Sequence, residues 1–333
     1  MRKKTVLISL FLAAILLAGA GCGIIEGQNY TLYRYIDTVY SLAPQEIIDG
    51  YNNINMAQAA MNVSTIMLPC TYEVKSVINY SYTEFVPGSG GTTLVKISGS
   101  VTKTATAFMI NDSGYILTNA HVITLDNADQ LTDLKYEGWE IKVNLTESDA
   151  RFDATVVAYD TFLDIAVLKV DPRQVNTATL GYAVFFNLDD PTGPEKPSIE
   201  LYYGEPVISL GNAYGRGVSV TQGIVSAPKK YFTNGIKVTT AIQVDAAINN
   251  GSSGGPLCNA YARILGMNTY KLNIPGADDI GYAIPTYVIL DYINDLNSGK
   301  SDGVVLDPSP RIKYYYTNLR EYAQTNIYSN FSQ

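Results

Sequence analysis

Residues 249–257 read Asn-Asn-Gly-Ser-Ser-Gly-Gly-Pro-Leu, a pair of serines set among glycines. Glycine lets the backbone take positive φ and come close to another group. The amides of Gly251 and Ser253 can then converge on one spot, where the oxyanion of an acyl-transfer intermediate would form, with Ser252 a third candidate donor. Ser253 is followed by two glycines and lies two residues beyond Gly251, which makes it the candidate nucleophile, while Ser252 points the other way. Alone, such a run is as readily a linker or a turn. Its flanks argue for a tight loop between strands, because residues 242–248 before it and 258–269 after it are apolar and strand-like.

A serine needs a base within hydrogen-bond reach, and the base needs an orienting group. The chain has one histidine, His121, so a Ser–His mechanism has no other base to use. A lone histidine is more often structural. Here an apolar strand at 107–110 turns at Asn111-Asp112-Ser113-Gly114 and returns as Tyr115-Ile116-Leu117, and this hairpin delivers His121 just past a buried strand. The orienting carboxylate is assigned to Asp164, which opens the apolar run 165–170. Asp160 and Asp126 are rivals, but neither leads directly into such a run. The chain order His121, Asp164, Ser253 is that of two-barrel serine proteases, not of subtilisins or α/β-hydrolases.

Six separated motifs carry a family resemblance. They are Gly-Tyr-Ile-Leu-Thr-Asn-Ala-His-Val at 114–122, residues 164–170, Ser-Leu-Gly-Asn at 209–212, Gln-Gly-Ile-Val-Ser at 222–226, 251–257, and Gly-Tyr-Ala-Ile-Pro at 281–285. Together they resemble the HtrA (DegP-like) branch of the trypsin-like, chymotrypsin-fold serine peptidases, over about 104–292 with an interruption near 182–200. The resemblance implies an all-β fold of two six-stranded antiparallel β-barrels with a short C-terminal helix. The site would lie in the cleft between them, with His121 and Asp164 from the first barrel and Ser253 from the second. It also implies a serine endopeptidase acting on unfolded or damaged proteins, in protein quality control, with no cofactor. In that fold the pocket floor lies six residues before the nucleophile, at Ala247. Its neutral, small side chain argues for cleavage after Val, Ala, Ile or similar residues. Asn268, Thr269 and Tyr270 would line the strand to which substrate adds, and Tyr282 another pocket wall. Three departures stand out. Ser252 replaces the usual asparagine, Asn250 a proline or arginine, and Thr104-Ala105-Thr106-Ala107 the usual Gly-Ser-Gly.

The rest of the chain frames this core. Its composition, 47% hydrophobic and 16% charged, is that of a globular protein with ample core. Residues 1–22 read as a leader, with Arg2, Lys3 and Lys4 before the apolar stretch 5–20. Gly21-Cys22 suggests a lipoprotein site with Cys22 lipidated. Simple secretion after Ala18-Gly19-Ala20 ranks second and an uncleaved anchor third, since the apolar stretch is short for a spanning helix. All three place the mature chain outside the cytoplasm, as a membrane-anchored lipoprotein or a secreted protein. Removing the leader's three positive charges takes the net charge from −8 to −11, which argues against nucleic acid and against electrostatic binding to anionic lipid. Membrane contact would therefore run through the lipid anchor, and a homo-oligomer is compatible with everything read here.

Cys70 and Cys258 read as separate buried thiols, with pairing in an oxidising compartment as the alternative. No metal-ligand cluster is visible. Residues 23–62 form an N-terminal extension, a tether or a strap across the fold, with weak helical character at 44–61. From 63 the chain reads as short β runs, among them 64–68, 73–82, 92–101, 106–110 and 140–145. The peptidase domain spans 63–299, with barrel one at about 63–188 and barrel two at about 199–284. Three prolines make 189–197 the inter-barrel linker. Pro285 opens a helix at 286–296 that ends near Gly299. The Tyr-rich tail 300–333 leaves no room for the PDZ domain usual in the family. Outside the enzyme class, the alternative is a catalytically silent surface lipoprotein of protease fold that binds unfolded segments.

Overall fold

The computed structural model describes residues 31–33, 55–88, 91–126, 128–145, 151–174, 183–186, 201–233, 236–271, 280–308, 310–313 and 316–317. In chain order its strands begin with β1 (Thr31–Tyr33), followed by helix α1 (Met56–Met67), β2 (Thr71–Gly88) and β3 (Gly91–Met109). Then come β4 (Tyr115–Thr118), β5 (Thr132–Leu145), β6 (Arg151–Asp160), β7 (Ile165–Val170) and β8 (Val184–Phe186). The second half holds β9 (Pro206–Gly211), β10 (Ser219–Thr233), β11 (Val238–Val244), β12 (Pro256–Cys258), β13 (Arg263–Lys271) and β14 (Gly281–Pro285). Helix α2 (Thr286–Ser298), β15 (Val304–Val305) and β16 (Tyr316–Thr317) close the chain.

Two closed six-stranded antiparallel barrels result. Barrel one runs β6-β5-β2-β3-β4-β7 and closes through β6–β7. Barrel two runs β12-β9-β10-β11-β14-β13 and closes through β12–β13. Closure removes the unpaired edges that an open sheet would expose. The extra strands add at the margins: β1 along β10, β15 along β6, and β8 with β16 in parallel beside β13. Barrel one is filled by residues such as Tyr72, Phe108, Ile116, Leu117, Ile141 and Ile165, and barrel two by Val207, Val225, Ile242, Val244 and Leu257, all buried.

The β2–β3 hairpin outruns its barrel. The two strands pair without slip from Thr71↔Phe108 to Gly88↔Gly91, whereas β5 accompanies β2 only as far as Thr83↔Thr132. Beyond that point a two-stranded arm carries exposed Phe85, Val86, Leu94 and Val95. The runs 92–101 and 106–110, read separately from sequence, are thus one strand.

Residues 64–68, expected as a strand, are helical instead: 64–67 belong to α1, and Leu68 caps it and opens a 3-10 turn. The apolar residues Ala59, Val63 and Met67 recur every four positions and are buried, while Met61 and Ile66 face out. That period is helical, and Asn55 caps the first turn by accepting from the amides of Ala57 and Gln58. Helix α2 starts and stops as its Pro285 and Gly299 suggest, Gly299 taking φ of 69°. The tail beyond it folds back on barrel one. The amides of Leu306 and Asp307 donate to Val157 O, and the Asn111 side chain donates to Lys313 O. The N-terminal extension acts at least at 31–33 as a strap. Cys70 and Cys258 are buried free thiols, with burial pushing the Cys70 thiol up to about 12. The leader with Cys22 and the proline-rich 189–197 lie outside the described residues.

Candidate active site

Each candidate group sits where a strand ends at the cleft. His121 occupies a single 3-10 turn, Ala120–Val122, just after β4. Two cross-strand partners of the long hairpin hold this turn. Ser76 on β2 donates to Val122 O at 2.5 Å, and Lys103, opposite it on β3, donates to His121 O at 2.8 Å. Asp164 lies at the mouth of β7 with φ of 57°, a left-handed conformation that aspartate tolerates better than most residues. Asn119 holds that backbone by donating to Asp164 O at 3.0 Å.

The Asp164 carboxylate faces His121 Nδ1 at 2.9 and 3.0 Å and also accepts from the His121 backbone amide at 3.0 Å. Those bonds fix the ring and place the proton on Nδ1, leaving Nε2 as the basic nitrogen. Burial works to lower the His121 pKa, but the charge of Asp164 and its hydrogen bond outweigh that, so the imidazole titrates above the usual histidine value. Lys103 pulls it down and Asp126 pulls it up. The rival carboxylates have other work. Asp160 caps its turn through the amides of Phe162 and Leu163, both at 2.8 Å, and Asp126 pairs with Lys103 at 2.7 Å.

The nucleophile loop is built on two glycines. Gly251 has φ of 96°, and a Cβ there would overlap the Asn212 carbonyl. Gly254 has φ of 81°, and its Cβ would overlap Thr106 O and Thr118 Oγ1. The loop therefore nests against barrel one at van der Waals distance. The amide of Thr106 on β3 donates to Ser253 O at 2.9 Å, and its hydroxyl donates to Gly251 O at 2.7 Å. The same hydroxyl accepts from the Asn212 amide at 2.7 Å. On the other side, the Tyr214 amide donates to Asn250 O at 2.7 Å. The carbonyls flanking the Gly251 amide are thus both tied back. The amides of Gly251 and Ser253 donate to no protein acceptor among the described residues.

Thr269 on β13 joins the two halves. Its hydroxyl donates to Asp164 Oδ2 at 2.5 Å, and its carbonyl accepts from Ser253 Oγ at 3.0 Å. The serine hydroxyl thus rests on Thr269 O and not on His121 Nε2, and a rotation about its Cα–Cβ bond would redirect it. A base–carboxylate pair from one barrel, a serine from the other, and two free amides beside that serine are the parts of an acyl-transfer site.

Residues 105–267 match the family model of the trypsin-like peptidase domain. That stretch is similar to trypsin-like peptidase domains, and the chain is similar to proteins of the HtrA type. It is 34% identical over 210 residues to the Halomonas elongata protein named probable periplasmic serine endoprotease DegP-like, covering 61% of this chain and 38% of that one. It is 34% identical over 200 residues to the serine protease Do-like HtrB of Bacillus subtilis, covering 58% and 38%. The chain therefore spans under two-fifths of the length of these relatives. A solved HtrA-type protease with a decapeptide shares the fold, at a TM-score of 0.50 and 24% identity over 74% of this chain and 68% of that one.

Within the peptidase domain, three sequence assignments shift. The Ser252 amide is taken up by Asn249 O at 2.8 Å, so it drops out of the oxyanion set. Its side chain is buried against Gly211, away from the cleft. Asn268 does not line a substrate strand. Its backbone pairs with Gly254 and Gly255 at 2.9 and 2.8 Å, and its side chain is buried against Ser209 and Leu210. Ala247 is exposed and forms no enclosed floor among the described residues, whereas Ile248 is buried beside Gly281. The neighbouring loop 272–279 lies outside those residues. Tyr282 is buried edge-on to Phe232, 5.3 Å between centroids. Tyr270 continues β13 past Thr269. Lys103, Thr106 and Ser76 were not singled out as site residues from sequence. Only Thr106 carried a signal, as part of the segment that departs from Gly-Ser-Gly.

Proposed function

We propose that this protein is an extracytoplasmic serine endopeptidase that cleaves unfolded or damaged proteins through Ser253, His121 and Asp164. The observation that carries the reading is the Thr269 bridge, which holds the Asp164–His121 pair and Ser253 in one hydrogen-bonded chain across the two barrels. A substrate strand laid beside Thr269 and Tyr270 takes over the Thr269 carbonyl and frees the Ser253 hydroxyl. Ser253 Oγ then swings toward Nε2, gives up its proton and attacks the peptide carbonyl. The oxyanion settles on the Gly251 and Ser253 amides, and Asp164 stabilises the imidazolium. His121 returns the proton to the leaving amine. A water, deprotonated by His121 in turn, then releases the acyl group.

The family resemblance puts the neutral Ala247 at the specificity pocket, which favours cleavage after small apolar side chains, because an Arg or Lys would lose water without gaining a counter-ion. Cut sites mapped in a denatured protein by mass spectrometry test this, and predominant cleavage after Arg or Lys would overturn it. A lipid at Cys22 would hold the enzyme at the membrane, and the name of the Halomonas relative places that protein in the periplasm. The reaction itself is tested with a fluorophosphonate probe. Ser253→Ala should lose labelling and peptide hydrolysis, and Ser252→Ala should keep labelling. Labelling that survives Ser253→Ala but not Ser252→Ala would reverse the assignment.

A further inference from the structure

Lys103 is an unusual neighbour for a catalytic base. Its ammonium is drawn in from solvent, with the side chain only 16% exposed, and it is pinned by two bonds. One goes to His121 O at 2.8 Å and the other to Asp126 Oδ1 at 2.7 Å. A β-strand lysine normally extends its charge into water. Here the charge is turned toward the backbone of the one histidine. Its partner Asp126 is 79% exposed. Water screens the aspartate more than the lysine, so the imidazole feels the two ends of the pair unequally.

The charged groups that act on His121 are few. Asp164 approaches from the head of β7, Lys103 from β3, and Asp126 from the segment after the His121 turn. Barrel two brings the neutral Ser253 and Thr269 to the same cleft. A carboxylate against Nδ1 makes a histidine a stronger base, and without a counterweight it would hold its proton at neutral pH. A fixed cation held at the backbone carbonyl of the same residue disfavours imidazolium and returns the base toward its working range.

We propose that Lys103 is a positioning residue that acts through His121, clamping its carbonyl and counterweighting Asp164 so as to set the pH at which the base becomes free. Asp126 acts in the opposite sense and trims that effect. The proposal rests on the reading of His121 as the general base.

Because the chain has a single histidine, its imidazole can be titrated by NMR without assignment ambiguity in the Ser253→Ala protein, where no turnover is needed. Lys103→Met should move the midpoint up, Asp126→Asn should move it down, and Lys103→Arg should leave it near the parent value. In the Ser253-intact enzyme the acid limb of kcat/KM should move in the same directions. A clamp that is merely structural would lower activity in all variants and leave the midpoint in place. Midpoints that stay fixed, or that move the same way in both variants, overturn the proposal. Should Lys103→Met not fold, Lys103→Gln, which keeps a donor for the His121 carbonyl, decides alone: an upward shift supports the proposal and a fixed midpoint overturns it. If the enzyme reading were wrong, the NMR shifts would persist while peptide hydrolysis was absent, so the two failures are distinguishable.

Discussion

Replacing Thr106 by valine keeps the shape of the side chain and removes one hydroxyl. That hydroxyl serves two partners in the loop region, donating to Gly251 O and accepting from the Asn212 amide, each at 2.7 Å. Thr106 and Asn212 are fully buried, so water does not readily replace either bond. A buried donor or acceptor left without a partner costs about 1–3 kcal/mol, so roughly 2–6 kcal/mol is shared between the Gly251 carbonyl and the Asn212 amide. The loop relieves part of this by turning the Gly251–Ser252 peptide, and that turn draws the Gly251 amide off the oxyanion position. The loss of one oxyanion donor, about 10²–10³ in kcat, is therefore the ceiling. We expect kcat for a peptide substrate to fall between about 10-fold and that ceiling, with KM little changed, because the contact matters in the transition state. Thr106→Ser should restore most of the rate. The measurements are kcat and KM, the rate of fluorophosphonate labelling, and the thermal unfolding midpoint. A folded Thr106→Val enzyme with kcat within about 3-fold of the parent, under 1 kcal/mol of barrier, would refute the reasoning. So would Thr106→Ser as damaged as Thr106→Val.

Three further outcomes follow from the same geometry. Gly254→Ala should abolish activity and destabilise the protein, because φ of 81° and the closeness of Thr106 O leave no room for a methyl group; a folded, active variant by circular dichroism and peptide assay would contradict it. Thr269→Val removes the 2.5 Å bond to Asp164 and should lower kcat about 10-fold or more by freeing the carboxylate to rotate, read from steady-state kinetics. The raised pKa of His121 means that kcat/KM should drop as pH falls through a midpoint above the usual histidine value, since only the neutral ring accepts the serine proton. Stability has the opposite sign. Its contribution from imidazolium is full below the unfolded-state pKa and is lost as pH rises through the folded one, which thermal melts of Ser253→Ala across pH would show.

The site's candidate groups could be read from the sequence because each is a polar exception in an apolar setting. His121 follows a buried hairpin strand, Asp164 opens a run of buried residues, and Ser253 sits in a glycine-rich loop between strands. The ends of α2 were legible for a similar reason, since Pro285 and Gly299 each have a conformational meaning of their own. Residues 64–68 misled because Ile66, Met67 and Leu68 form an apolar run that satisfies a strand as well as a helix, and only burial reveals the four-residue period. Asn268 and Thr269 could not be told apart from sequence because adjacent strand residues point opposite ways. One turns into barrel two and the other spends its hydroxyl on Asp164, and that choice is made by register. Lys103 and Thr106 were illegible as site residues because their partners lie 18 and 145 positions away. Whether Ala247 floors a pocket is not legible in the sequence, because the depth of a pocket depends on the loops packed over it.

The Thr269 bridge also orders events in time. The imidazole and its carboxylate are made in the first half of the chain, and the serine and the threonine that connects to them come only after residue 250. A chain still emerging, with barrel one closed and barrel two unformed, holds a base with nothing to activate. The hydroxyl acquires its setting only when β13 closes the second barrel and Thr269 reaches Asp164. On the proposed reading, cutting power would require both barrels to be folded, and a molecule that lost either one would lose the link between Asp164 and Ser253.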